Sequence, residues 1–144
     1  MDNRQIADWV EAARHDLDTV ELLLANNGHP DVIINHMHQA VEKLLKALLL
    51  HGKQSFRKTH ALDSLLFDAL PLYPALDLVK ASILNLDGYS AKLRYPRGDF
   101  LTGKDLEKAD SYYRQICSQI ILMSDIPDSM RMLKSISIKA GKLP

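Results

Sequence analysis

Apolar residues recur at helical spacing along almost the whole chain, and no sustained two-residue alternation appears before the last dozen residues, so the pattern predicts an all-α protein. A first helix opens at Asp2, whose carboxylate can cap it while Gln5 reaches back, and it turns Ile6, Trp9, Val10, Ala13, Leu17, Val20 and Leu24 to one side. Asn26-Asn27-Gly28 and then Pro30 end it. A second helix starts behind Pro30 with Asp31 as its cap and runs about 30 Å to His51-Gly52. A third, short helix is expected from Thr59 or His60, with Leu62, Leu65, Leu66 and Ala69 inward, until Pro71 and Pro74 stop it. The fourth takes Leu76, Val79, Ile83 and Leu86 inward and leads to Tyr89. After an irregular stretch holding Pro96, Gly98 and Gly103, Thr102 and Asp105 start a fifth helix with the seam Leu106, Ala109, Tyr113, Ile116, Ile120 and Met123. Residues 130–139 read equally as a short helix, a loose strand or an arm on a neighbour. The economical architecture is an antiparallel up-and-down bundle of four main helices plus a short extra helix. One domain then covers residues 1–125, with a C-terminal tail over 126–144.

At 144 residues, 47% hydrophobic and 25% charged, the chain suits one domain whose core needs neither disulfides nor a structural metal. Cys117 is the single cysteine and cannot bridge within the chain; its apolar neighbours make it a buried, inert thiol. Eighteen basic residues balance eighteen acidic ones and the pI is near 7.0, so any polyanion site has to be a local patch. No apolar run is long enough to span a membrane, and the polar start carries no export signal, which sets the expectation of a cytoplasmic protein with no membrane partner.

The second helix is where chemistry can sit. At about 100° per residue its apolar positions cover more than half the girth, and the remaining arc holds Asn35, Gln39, Glu42, Lys43 and Lys46, with His36 at one border. One reading of this strip is a solvated face with a Glu42 to Lys46 pair at i, i+4; the other is a binding surface. His36 and His38 point about 160° apart on a helix, so one ion cannot take both, and no metal is expected. His38 reads as a half-buried histidine bonded to a backbone carbonyl. Phosphate-binding glycine loops, nucleophile elbows and paired-cysteine motifs are all missing, so no cofactor is expected.

The run His38-Gln39-Ala40-Val41-Glu42-Lys43-Leu44-Leu45-Lys46-Ala47-Leu48, behind an amphipathic helix with Trp9, Ala13 and Asp16-Leu17, resembles the HEPN domain family. The name abbreviates "higher eukaryotes and prokaryotes nucleotide-binding". Thr59-His60-Ala61-Leu62-Asp63-Ser64-Leu65 and Arg94-Tyr95-Pro96 follow in the family's order and spacing, and the similarity spans Ile6 to Met123. The resemblance implies a helical bundle that forms a homodimer and is encoded beside a minimal nucleotidyltransferase, in toxin–antitoxin or related regulatory pairs. Surplus apolar surface on the second helix and the Tyr112, Tyr113, Ile121 and Leu122 flanks point to the same dimer.

Some family members are metal-independent ribonucleases, with an arginine and a histidine five to seven positions later acting at the dimer cleft. No arginine here has such a histidine, so no catalytic residue is assigned and the chain reads as more a binding module than an enzyme. Ribonuclease action, with RNA as partner, remains the alternative if folding pairs Arg94 with His60. For a nucleotide or phosphate ligand the candidate residues are Gln39, Lys43, Lys46, His60, Arg94 and Tyr95. Lysines and arginine neutralise phosphates, free amides at the start of the third helix favour an anion, and Tyr95 stacks on a base. Two further alternatives stand beside this one: an ion-pair network of Glu42, Lys43 and Arg94 that only ties helices together, and a scaffold that binds only protein.

Overall fold

The structure is a computed structural model describing residues 3–94 and 100–133; the expected Asp2 cap, the Arg94 side chain, Tyr95 and the chain beyond Leu133 lie outside the described residues. Helical periodicity becomes helix throughout. The elements are α1 (Asn3–Ala25), α2 (Pro30–His51), α3 (Leu62–Ala69), a 3₁₀ turn (Pro74–Val79) running into α4 (Lys80–Asp87), α5 (Ser90–Arg94), α6 (Gly103–Leu122) and α7 (Asp128–Arg131).

The α1–α2 corner follows from its residues. Asn27 takes a left-handed φ of 54°, and the Gly28 amide closes on the Leu23 carbonyl at 2.8 Å. A Cβ on Gly28 would stand 2.9 Å from the Leu23 Cβ, which reserves the position for glycine. Pro30 occupies the first turn of α2, so His29 and not Asp31 is the capping position, and it makes no side-chain cap bond. Asp31 sits one step inside, where its charge meets the positive end of the helix. The chain then returns alongside α1: Trp9 lies by Lys46 and Asp16 by Lys43, the pairing of antiparallel neighbours.

Helix α2 is the axis of the bundle, packed against α1, α3 and α6. Ile34, Met37, Ala40, Val41, Leu45 and Leu48 are fully buried. The apolar surplus that suggested dimerisation is therefore covered within one chain. Tyr113 is buried as well, so among the named α6 flanks Leu122 is the exposed one, with Tyr112 and Ile121 half-buried. The expected fourth helix is split because a 3₁₀ turn eclipses positions three apart and sends Leu76 and Val79 inward together, before α4 adds Ile83 and Leu86. Thr102 and Asp105 form the expected capping box on α6, and the amide and hydroxyl of Thr102 hold the Asp105 carboxyl below its ordinary value.

Past Asp125, Ile126, Met130 and Leu133 are buried and α7 contacts α1. Cys117 is buried and burial pushes its thiol up to about 12. Among the described residues no helix is long and apolar enough to cross a membrane.

Candidate functional site

Asn35, Gln39, Glu42 and Lys46 fall in line on α2 at the four- and three-residue steps of one helical face. That face borders a groove of about 540 Å³, shared with Trp9 of α1, His38 and Lys43 of α2, His60 ahead of α3, and Ser90 and Leu93 of α5. Four of the sequence candidates, Gln39, Lys43, Lys46 and His60, thus meet at one site.

The strip is not a solvated face. Lys46 Nζ donates to Glu42 Oε2 at 2.9 Å, with the two side chains only 7% and 8% exposed. Aromatic cover explains this burial. Lys46 Nζ sits 5.2 Å from the ring centroids of both Trp9 and Phe56, which meet edge to face at 5.2 Å. The rings shield the aliphatic stem and present electron density to the ammonium. One turn away, Lys43 Nζ donates to Asp16 Oδ2 at 2.6 Å, and His36 Nδ1 lies 2.9 Å from Asp16 Oδ1. The expected cationic strip is therefore a strip of neutralised pairs, each lysine matched by a carboxylate.

Two histidines extend this wiring. His60 Nδ1 stands 3.2 and 3.1 Å from the two Glu42 oxygens, while its ring remains 80% exposed. An ionised carboxylate only accepts, so Nδ1 is the donor. His38 is buried and bonded through Nε2 to Asp87 Oδ1 at 2.8 Å, not to a backbone carbonyl as expected. The same carboxylate accepts from the amides of Leu62 at 3.1 Å and Asp63 at 3.4 Å. Burial alone would raise the Asp87 carboxyl, but the bonds from His38 and these two amides hold it below its ordinary value.

Asp87 therefore corrects two further expectations. Helix α3 begins at Leu62 rather than at Thr59 or His60, because its cap comes from α4 across 25 residues. Its first amides are occupied by that carboxylate and are not free for an anion. Thr59 instead closes a local turn, its Oγ1 accepting from the Ala61 amide at 3.0 Å. Of the expected network of Glu42, Lys43 and Arg94, Glu42 pairs with Lys46 and Lys43 with Asp16, while the Arg94 side chain lies outside the described residues.

Asp16 and Trp9 entered only through the family resemblance and, for Trp9, the core stripe, with no part in the site, and Phe56 and Asp87 were missed. Asp16 did carry a signal: it stands three residues after Ala13 and four before Val20, inside the buried stripe of α1, where a carboxylate needs partners. Phe56 in a loop and Asp87 at a helix end had no periodic signal.

A family model for the HEPN domain matches residues 6–121, a span that runs from the first buried residue of α1 into the last turn of α6 and so contains every described residue of the groove. No curated protein and no solved structure matches the chain. The all-helical architecture and a match over well more than half of the sequence agree, and the chain belongs to the HEPN domain family of helical modules associated with nucleotides and RNA.

Proposed function

We propose that the chain is a nucleotide- or phosphate-binding module whose site is the α2 groove. The observation that supports this reading best is the meeting of Gln39, Lys43, Lys46 and His60 around one groove, from two separate stretches of chain. In this reading Gln39, Lys43 and His60 touch the ligand. Lys46, enclosed by Trp9 and Phe56, acts through Glu42. Arg94 and Tyr95, the two residues that follow Leu93 in the sequence, are the candidates for a bidentate phosphate contact and for stacking on the base.

The pairing of charges sets the affinity. A phosphate reaching Lys43 has to compete with Asp16, already at 2.6 Å, so binding is modest and weakens with salt. Calorimetric titration with ATP and AMP tests the proposal. Heat of binding and a raised melting midpoint are expected at millimolar ligand, with Lys43→Ala weakening binding about tenfold. No heat and no midpoint shift at that concentration would overturn it.

The same proposal carries a homodimer and a nucleotidyltransferase-domain partner in a toxin–antitoxin-like or regulatory pair. Leu122, 73% exposed at the end of α6, is the exposed member of the α6 flanks that it offers to a second copy. A light-scattering mass of one chain at micromolar concentration would remove the dimer.

A further inference from the structure

We propose that His60 is a phosphoryl-acceptor site, its Nε2 taking a phosphoryl group from a small-molecule phosphoryl donor. It rests on the phosphate-site reading only in using Gln39 and Lys43 as donors to the transferred group. Three observations carry it. First, the ring is held by one nitrogen: Nδ1 donates to both oxygens of Glu42, which fixes the proton there and leaves the Nε2 lone pair on the open edge of a ring that is 80% exposed.

Second, the carboxylate behind the ring is itself held. Glu42 is buried and bound by Lys46, whose ammonium is enclosed by Trp9 and Phe56. The base is thus oriented by a third group, the arrangement of an activated nucleophile. Of the six histidines, His60 combines the open ring with a buried carboxylate. His38 is enclosed and His36 mostly so, His15 meets an exposed glutamate through Nε2, His51 faces the exposed Asp125 through Nε2 at 3.6 Å, and His29 makes no cap bond.

Third, acid–base chemistry on a bound ester wants a second group to carry the other proton. Among the described residues of the groove, Lys46 and His38 are each buried against a carboxylate, and Lys43, held by Asp16, serves as a charged donor to the transferred group rather than as the second proton carrier. A single open imidazole suits transfer onto the ring itself.

With phosphoramidate as donor the step balances. The Nε2 lone pair attacks phosphorus, the N–P bond forms as the P–N bond to the leaving nitrogen breaks, and ammonia departs with that electron pair. The ring becomes a phosphoimidazolium, its Nδ1–H still on Glu42, which serves as counter-ion. Lys46 keeps Glu42 from repelling the incoming group.

The test is incubation of the full chain with phosphoramidate, followed by intact mass and by alkaline peptide mapping, since phosphohistidine is acid-labile. One phosphoryl group is expected on His60, ahead of His15 and His29. His60→Gln removes it and Glu42→Gln slows it about tenfold. The comparison among histidines in the unaltered chain needs no variant to fold. No adduct, or labelling of His15 and His29 as fast as His60, would overturn the proposal. AMP titration on the same sample separates the two readings: AMP binding without an adduct removes the acceptor site alone, whereas an adduct without AMP binding removes the nucleotide reading alone.

Discussion

The Glu42–Lys46 pair of α2 has the four-residue spacing of Arg14–Asp18 in the Glu11–Arg14–Asp18 cluster of α1, and that spacing does not separate them. Their surroundings differ. Arg14 bonds Glu11 and reaches Asp18 at 3.3 Å with all three side chains at least 40% exposed, and the contact with Glu11 lowers that carboxyl and raises the guanidinium. Glu42 and Lys46 are both buried, with the Lys46 ammonium under Trp9 and Phe56. An exposed pair is screened and gives up side-chain freedom to form, so it contributes little. A buried pair is held to one geometry because either charge left alone is costly. The difference teaches that spacing finds a charge pair, while only the tertiary cover decides whether it builds a site.

The largest effect is expected where that cover is tested directly. Glu42→Ala leaves the Lys46 ammonium buried without its carboxylate and should cost about 3–5 kcal/mol in urea denaturation. The double change Glu42→Met with Lys46→Met should recover most of that loss, since an apolar pair of similar size removes the desolvation penalty. A double variant as unstable as the single one would mean the pair is not the reason for the loss.

Asp87→Asn should cost about 2 kcal/mol near neutral pH, because it weakens charge-assisted bonds to His38 and the α3 amides. The sign with pH follows from the lowered Asp87 carboxyl. Its stabilisation is complete above the unfolded-state value of about 3.9 and is lost as pH falls through the lower folded value, so wild type and variant should converge in acid. A gap that stays constant to low pH would contradict this.

Asp16→Asn frees Lys43 from its carboxylate and is expected to tighten AMP binding about tenfold, read by calorimetry. Weaker binding would move Lys43 out of the ligand's reach. At the bottom of the scale, Arg14→Ala should change neither the urea midpoint nor the AMP titration.

What was legible in advance follows the same division. The periodic stripes of α1, α2 and α6 and the Thr102–Asp105 box announce themselves, since helix faces and caps are local patterns. The strip on α2 was legible as a line of residues but its environment was not: Phe56 covers it from a loop, and Lys43 finds Asp16 from 27 residues away. Asp87 capping α3 displaced a local start that Thr59 and His60 suggested, because a carboxylate brought in by the fold satisfies amides as well as a neighbouring side chain does. His60 was identified as a candidate by its family resemblance, and its bond to Glu42 came only with the packing of its loop against α2.

The most direct test is a ¹H–¹⁵N spectrum of the chain titrated with AMP. The account predicts shifts confined to the groove, at the Trp9 indole, the Gln39 side-chain amide and the backbone around Lys43 and His60, with the Glu11–Arg14–Asp18 turn unmoved. Shifts centred on that exposed cluster, or a spectrum that does not change at millimolar AMP, would contradict it.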